Sequence, residues 1–141
     1  MTRKLAVLVA LLSVAVASLA CNFVTVGSRE MSLDNLRMAI DEDGNSPTNI
    51  YASSDIFYVV GDLNNAPAGT VVEAKWLADQ IEGYESGELI YEQAINDFTE
   101  ESFSGTIYFQ LSNDSGWLAG DYEVEVYLNG NYVQTVPFSV Q

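Results

Sequence analysis

The last twenty residues constrain the fold most strongly, because alternating apolar and polar side chains flank a tight-turn signal. In residues 122–128 (YEVEVYL) the apolar side chains share one face of an extended chain and two glutamates share the other. The Asn129–Gly130 pair that follows favours a type I′ turn, which needs positive φ at both central residues. Residues 132–140 then resume an extended pattern, and Pro137, which lacks an N–H, suits an edge strand. This segment predicts a β-hairpin.

Similar short runs recur about every ten residues between turn signals, at 35–40, 55–63, 70–79 and 104–112. Within 70–79 (TVVEAKWLAD) alternate residues, Trp76 among them, form an apolar face. Residues 87–102 fit either a helix or a strand, and we favour a strand. The rhythm predicts an all-β fold, a single antiparallel β-sandwich of about seven strands.

Composition limits the partners of this domain. Beyond residue 20 the chain has three cations against all 20 acids, a net charge of −17. A surface so acidic repels phosphate backbones, so we expect no nucleic acid partner. The aromatic and β-branched content separates the chain from acidic disordered proteins, and about 120 residues suit one domain with a hydrophobic core.

Residues 1–20 have the layout of an export signal. Arg3 and Lys4 precede an uncharged apolar run from Leu5 to Ala20, in which small residues are concentrated near the end. This run of about 16 residues is shorter than the ~20 that span a bilayer as a helix. We therefore predict an N-terminal signal helix over residues 1–20, with a retained membrane anchor as the lesser alternative.

Cys21, the only cysteine, directly follows this run and has no partner for an internal disulfide. The stretch ASLAC (17–21) resembles the lipobox of bacterial lipoproteins, although it lacks the usual leucine three residues before the cysteine. The resemblance implies that Cys21 carries a diacylglyceryl group, whose two chains would anchor the protein stably. Ordinary cleavage after Ala20, which would give a secreted protein, stays open. Residues 21–32 would be a tether, and 33–141 the domain.

Two features resemble immunoglobulin-like and fibronectin type III domains. Trp76 lies in mid-strand on an apolar face, like the buried tryptophan of immunoglobulin-like domains. The stretch WLAGDYEVEVYLNG (117–130) resembles their tyrosine-corner region, which implies a turn at Gly120 and a hydrogen bond from the Tyr122 hydroxyl to the backbone upstream. The resemblance implies an immunoglobulin-like sandwich and specifies little about function.

The residue inventory offers little chemistry. The chain has no histidine, which excludes Ser-His-Asp and Cys-His centres and histidine-based zinc sites. It also has no glycine-rich phosphate loop. Among 20 acids some pair will meet glycosidase spacing by chance, so we assign no catalytic residue. We expect a non-enzymatic protein without a cofactor.

Residues 41–47 (DEDGNSP) invite comparison with a calcium loop. Asp41, Asp43 and Asn45 match the first ligand positions of an EF-hand, but Ser46 and Ala52 occupy its glycine and bidentate glutamate positions. A looser calcium site formed by the first three residues is one alternative. Turn chemistry explains the same residues without a metal, and we prefer it.

Tyr108 and Tyr127 lie on outward strand faces in the predicted register. Exposed aromatic rings stack on sugars and anchor protein interfaces, although strand propensity also accounts for tyrosine here. We expect an exported, membrane-anchored lipoprotein of the cell surface or periplasm, bound to the membrane through lipid on Cys21. Its domain would bind an envelope protein or support an assembly. The alternative is a secreted or tethered carbohydrate-binding module that holds a polysaccharide with these tyrosines.

Overall fold

The structure, a computed structural model, describes residues 29–141, and the regular elements there are all strands. The expected all-β class is confirmed for this part of the chain. The predicted signal helix, Cys21 and most of the predicted tether lie outside the described residues. Within residues 29–141 no helix has the length and hydropathy to cross a membrane. The strands are β1 (Ser32–Ala39), β2 (Ile50–Tyr51), β3 (Phe57–Ala66), β4 (Val72–Ile81), β5 (Glu88–Ile95), β6 (Phe103–Leu111), β7 (Gly120–Leu128) and β8 (Asn131–Val140).

The strands form two sheets that face each other across one core. The first has the order β1-β3-β6 and the second the order β2-β8-β7-β4-β5. All neighbouring strands are antiparallel except β2, which runs parallel to the end of β8. The expectation of about seven antiparallel strands therefore missed one short parallel strand. The ambiguous stretch 87–102 contains β5, so the strand interpretation was right for residues 88–95.

The β7–β8 hairpin forms as predicted. Asn129 and Gly130 have φ values of 50° and 78°, the positive values that a type I′ turn needs, and Leu128 pairs with Asn131 across them. On the outer side of β8 the Ser139 N–H donates to the Asn49 carbonyl. Pro137, two residues earlier, has its nitrogen on the same side, before pairing with β2 begins. Its missing N–H therefore leaves no ladder bond unmade.

The core lies between the sheets and is centred on Phe57, which is fully buried. The predicted inward residues of β4 and β7 are buried except Leu128, which is half-buried, and Trp76 and Val124 lie side by side among them. Burying one large apolar side chain contributes about 1.5–3 kcal/mol, so this aromatic cluster is a main source of stability. Ring centroids within 4.5 to 6.4 Å of the Phe57 centroid belong to Tyr51, Trp76, Trp117, Tyr122 and Phe138.

The folded domain begins slightly before its predicted start at residue 33. Met31 packs against the core, and the Asn65 side chain donates a hydrogen bond of 3.2 Å to the Glu30 carbonyl. β1 then begins at Ser32. Eight residues, 22–29, therefore separate Cys21 from the first residue that the sandwich holds.

Candidate functional site

A groove lies on the flank of the sandwich, between the edge strands β5 and β6. The second sheet is two strands wider than the first, so the inner face of β5 extends beyond the cover of β6. The groove has a volume of about 460 Å³, within the range of small-ligand sites. We call it the β5–β6 groove. It is lined by Ile90, Tyr91, Gln93, Gln110, Leu111, Ser112, Asn113 and Trp117.

A β-bulge in β5 shapes one wall of this groove. Trp76 pairs with Tyr91, but the next residue of β4, Leu77, pairs with Leu89, so Ile90 is an extra residue in the strand. Such a bulge bends the strand and re-aims its side chains. Ile90 packs against the core, whereas Tyr91 remains 51% exposed. The bulge thus leaves an aromatic ring open to solvent beside a buried anchor.

Gln93 forms a fixed polar point in the groove. Its Oε1 accepts a hydrogen bond of 3.0 Å from the buried Trp76 indole, and its Nε2 donates one of 2.9 Å to the Gln110 carbonyl. These bonds connect the core to the edge of β6, where the two sheets are not paired through their backbones. One amide N–H of Gln93 remains to meet solvent or a ligand.

Trp117 forms the opposite wall and is held from several sides. Its ring stacks on Phe57 with centroids 4.5 Å apart, and its indole N–H donates to the Asp55 carbonyl at 3.0 Å. Its backbone N–H donates to the Ser53 carbonyl at 2.8 Å, and its own carbonyl accepts from the Ser53 hydroxyl at 2.8 Å. This wall is therefore preorganised by the core and by the loop before β3.

A smaller depression continues the groove towards the loops. It shares Ile90, Asn113 and Trp117 with the groove, and Tyr84 and Leu118 border it with exposures of 43% and 54%. No charged residue lines either depression, although the protein is strongly acidic. The whole flank is therefore an uncharged, partly aromatic surface. The depression is lined by Ile81, Tyr84, Ile90, Asn113, Gly116, Trp117, Leu118 and Tyr122.

The two tyrosines singled out from the sequence lie elsewhere and apart from each other. Tyr108 projects outward from β6 in the first sheet, and Tyr127 projects outward from β7 in the second. They face opposite sides of the sandwich and so do not form the single row of rings that the carbohydrate-binding alternative required. Strand alternation assigns a side chain to a face of its own sheet but does not show which sheet the strand joins.

Both of these tyrosines also sit among charges. The Tyr127 hydroxyl donates to Glu125 Oε2 at 2.6 Å, and the Lys75 ammonium lies 4.9 Å from the centre of the Tyr127 ring. The hydrogen bond to Glu125 raises the pKa of Tyr127, and the Glu42 carboxylate likewise raises the pKa of Tyr108. Their surroundings differ from the uncharged flank around Tyr91.

The loop after β1 is held by hydrogen bonds of the Asp41 carboxylate and the Arg37 guanidinium. Asp41 accepts backbone hydrogen bonds of 2.8 Å from Asn45 and from Ser46, one on each carboxylate oxygen, and these bonds, led by the one from Asn45, lower the pKa of Asp41. The Arg37 guanidinium donates to the carbonyls of Gly44 and Asp43 at 3.1 and 3.4 Å. Residues 29–141 bring no three acidic or cysteine side chains together as a metal site would. The hydrogen bonds of Asp41 are the turn contacts expected of it, and the side chains of Asp43 and Asn45 take no part in them.

The tyrosine-corner hydrogen bond is present. The Tyr122 hydroxyl donates to the Leu118 carbonyl at 2.7 Å, across the turn that enters β7. Gly120 has a φ of 150°, and a Cβ there would clash with the Gln80 carbonyl oxygen on β4. The Trp76 side chain is 1% exposed, as expected of a core tryptophan.

Sequence reasoning did not identify Tyr91, Gln93 or Trp117 as site residues. Tyr91 and Gln93 lie in the stretch whose periodicity was ambiguous, because the bulge at Ile90 interrupts the alternation. Trp117 stands in a loop with no periodicity. The one available signal was that LIY (89–91) places three large apolar residues next to each other, between Glu88 and Glu92.

No protein-family model matches the chain, and no curated protein matches it. Solved structures do. A Pseudomonas fluorescens alkylpurine DNA glycosylase, AlkC, bound to DNA with an abasic site analog, aligns at 14% identity and a TM-score of 0.52 over 79% of this chain and 30% of that one.

Two β-glucosidases align over the same share of this chain. A mutant enzyme from Listeria innocua, in complex with laminaribiose, gives 14% identity and a TM-score of 0.52 over 16% of its length. EmGH1 from Erythrobacter marinus gives 13% and 0.54 over 15% of its length. This chain thus spans less than a third of each protein, and at such low identity the likeness concerns the fold alone.

Proposed function

We propose that this protein is a non-enzymatic lipoprotein of the cell envelope, tethered through Cys21, whose immunoglobulin-like domain binds a partner. One observation carries the proposal. A run with the layout of an export signal ends at a lone cysteine, and a folded sandwich begins only eight residues later, with Glu30 already held by Asn65. That order suits a domain presented on a lipid anchor.

Strand order and two core features support the immunoglobulin-like assignment. Strands β1, β3 and β6 take the places of strands A, B and E, and strands β4, β7 and β8 those of C, F and G. β5 extends the second sheet as strand C′ does. In this scheme Trp76 lies on strand C and Tyr122 begins the tyrosine corner of strand F. Val124 occupies the place of the second cysteine of antibody domains.

The short tether keeps one end of the domain close to the bilayer. Eight residues span at most about 28 Å, even when fully extended. Two acyl chains supply the stable attachment. The net charge of −17 on the rest of the chain opposes adsorption onto anionic lipid, so the domain stands off the surface while remaining attached.

A binding role suits the side chains that the structure brings together. Burial, followed by the neighbouring Asp79 and Glu125, raises the pKa of Glu123, as in a general acid. This carboxyl nevertheless projects from the outer face of the second sheet, opposite Leu77 and Pro137, rather than into a cleft. The uncharged β5–β6 groove offers contacts and no acid or base.

Expression of the full chain in a bacterial host, beside a Cys21→Ser variant, tests the tether. We expect the wild-type protein in the membrane fraction, with the mass of a diacylglyceryl group on residue 21, and loss of both in the variant. Ser18→Leu, which supplies the usual lipobox leucine, is the matched control and should be lipidated at least as completely. A soluble wild-type product that begins at Cys21 with an unmodified thiol would contradict the proposal and favour secretion.

A further inference from the structure

We infer that the β5–β6 groove binds a neutral polysaccharide, with the Tyr91 ring as the surface on which a sugar stacks. The inference rests on the proposed binding function and names its ligand class and its site. It does not depend on lipidation of Cys21.

The charge pattern selects a neutral ligand. The groove and the adjoining depression have no charged lining residue on a protein with 20 acids. On β5 itself, Glu92 pairs with Lys75 on the outer face, whereas Tyr91 and Gln93 lie on the inner side with Trp76 and Ala74. The overall negative field repels anionic polymers, and the carboxylates that would attract a cation lie elsewhere. An uncharged ligand can therefore occupy this flank without repulsion from the overall field and without needing a charged partner there.

The side chains that line the groove favour a sugar as the neutral ligand. The C–H faces of a pyranose ring are apolar and pack on aromatic rings, while its hydroxyl groups need hydrogen-bond partners at the edge. The half-exposed Tyr91 ring supplies such a face. The spare N–H of Gln93 and the Ser112 hydroxyl, which makes no hydrogen bond within residues 29–141, supply the polar contacts.

The shape favours a chain of sugars over a single ring. The groove is open to solvent and continues through Trp117 into the second depression, which Tyr84 and Leu118 border. An extended polymer can lie along both. Because the core and neighbouring loops already fix Trp117 and Gln93, little side-chain entropy is lost on binding.

Binding of the full chain, purified in a non-ionic detergent, tests the inference. The probes are cellulose, β-1,3-glucan, xylan, mannan and starch, with alginate as an anionic comparison. We expect retention on at least one neutral polymer, a change in intrinsic tryptophan fluorescence on binding, and a loss of affinity of about tenfold or more in Tyr91→Ala. Tyr132→Ala is the matched control, because Tyr132 is 59% exposed on β8 and lies outside the groove. It should bind like the wild type.

Three results would overturn the inference: no retention of the folded protein on any neutral polymer, binding that Tyr91→Ala leaves unchanged, or equal losses in Tyr91→Ala and Tyr132→Ala. Near-ultraviolet circular dichroism shows whether each variant is folded, and Tyr84→Ala provides a second variant, at the border of the adjoining depression. A lipidated protein that ignores every polymer would refute the site and leave the tether proposal standing. A soluble, unlipidated protein that binds through Tyr91 would do the reverse.

Discussion

Removal of the Tyr51 hydroxyl by Tyr51→Phe should destabilise the fold more than removal of any other hydrogen-bonded tyrosine hydroxyl described above. Tyr51 is 2% exposed, and its hydroxyl donates to the carbonyl of the fully buried Ala39 at 2.7 Å. The bond joins β2 in the second sheet to β1 in the first. Burial raises the pKa of the Tyr51 hydroxyl, so it remains a protonated donor at neutral pH.

The expected loss of unfolding free energy follows from the Ala39 carbonyl, which Tyr51→Phe leaves buried without its donor. A buried polar group deprived of its partner costs about 1–3 kcal/mol, more than the net value of an ordinary hydrogen bond. Phenylalanine keeps the ring contacts with Phe57 and Phe138, at 4.8 and 5.6 Å between centroids, so packing changes little. We expect a loss of about 2 kcal/mol, which for a domain of this size lowers Tm by about 8 °C.

Urea unfolding followed by tryptophan fluorescence measures this loss, and two further Tyr→Phe variants supply the scale. Tyr122 donates to the carbonyl of the half-exposed Leu118, so its loss should be about 1 kcal/mol. The hydroxyls of Tyr132 and Thr135 meet in an exposed position, so Tyr132→Phe should cost less than about 0.5 kcal/mol. Equal losses in all three variants, or a negligible one in Tyr51→Phe, would refute the argument from buried acceptors.

Three other substitutions test separate features. Gly120→Ala should lower the urea midpoint far more than Gly130→Ala. Both glycines have positive φ, but only a Cβ at residue 120 would clash with a neighbour, the Gln80 carbonyl. Equal effects would contradict this. Asp41→Asn should destabilise at pH 7, and the deficit should shrink as acidification protonates wild-type Asp41, whose pKa is lowered in the folded state. Glu123→Gln should stabilise at pH 7, with a gain that vanishes towards acidic pH, because the folded-state pKa of Glu123 is raised. Urea midpoints at pH 7 and pH 3 distinguish these opposite signs.

Local signals in the sequence were sufficient to predict much of the fold. The alternation in 122–128 and the Asn129–Gly130 turn act over a few residues, so the β7–β8 hairpin could be predicted without knowledge of the rest. The inward position of Trp76 followed in the same way from the alternation in β4. The hydrogen bond of Tyr122 could be expected because a short sequence enforces it within one turn.

Other features depend on contacts between distant segments. β2 has two residues, too few for any periodicity, and its parallel pairing with β8 is held by bonds such as Ser139 N–H to the Asn49 carbonyl. The bulge at Ile90 is defined by how β5 pairs with β4, a strand that lies earlier in the chain. Alternation alone could not place Tyr108 and Tyr127 on different sheets, and it could not reveal that the narrower first sheet leaves Tyr91 uncovered.

The proposed tether joins one end of the sandwich, whereas the proposed binding site runs from the middle of the strands towards the other end. β1 begins at Ser32 beside the end of β3, so the strand ends near Ile81 and Glu88 and the loop with Trp117 belong to the far end. A ten-residue strand such as β4 is about 33 Å long, and the eight-residue tether adds at most about 28 Å. On these proposals the groove lies on the flank of the sandwich and reaches a ligand up to about 60 Å from the bilayer. A polymer in a layer outside the membrane fits that position better than a lipid headgroup, which the acidic tether end of the domain, with Glu30 and Glu101, would meet first.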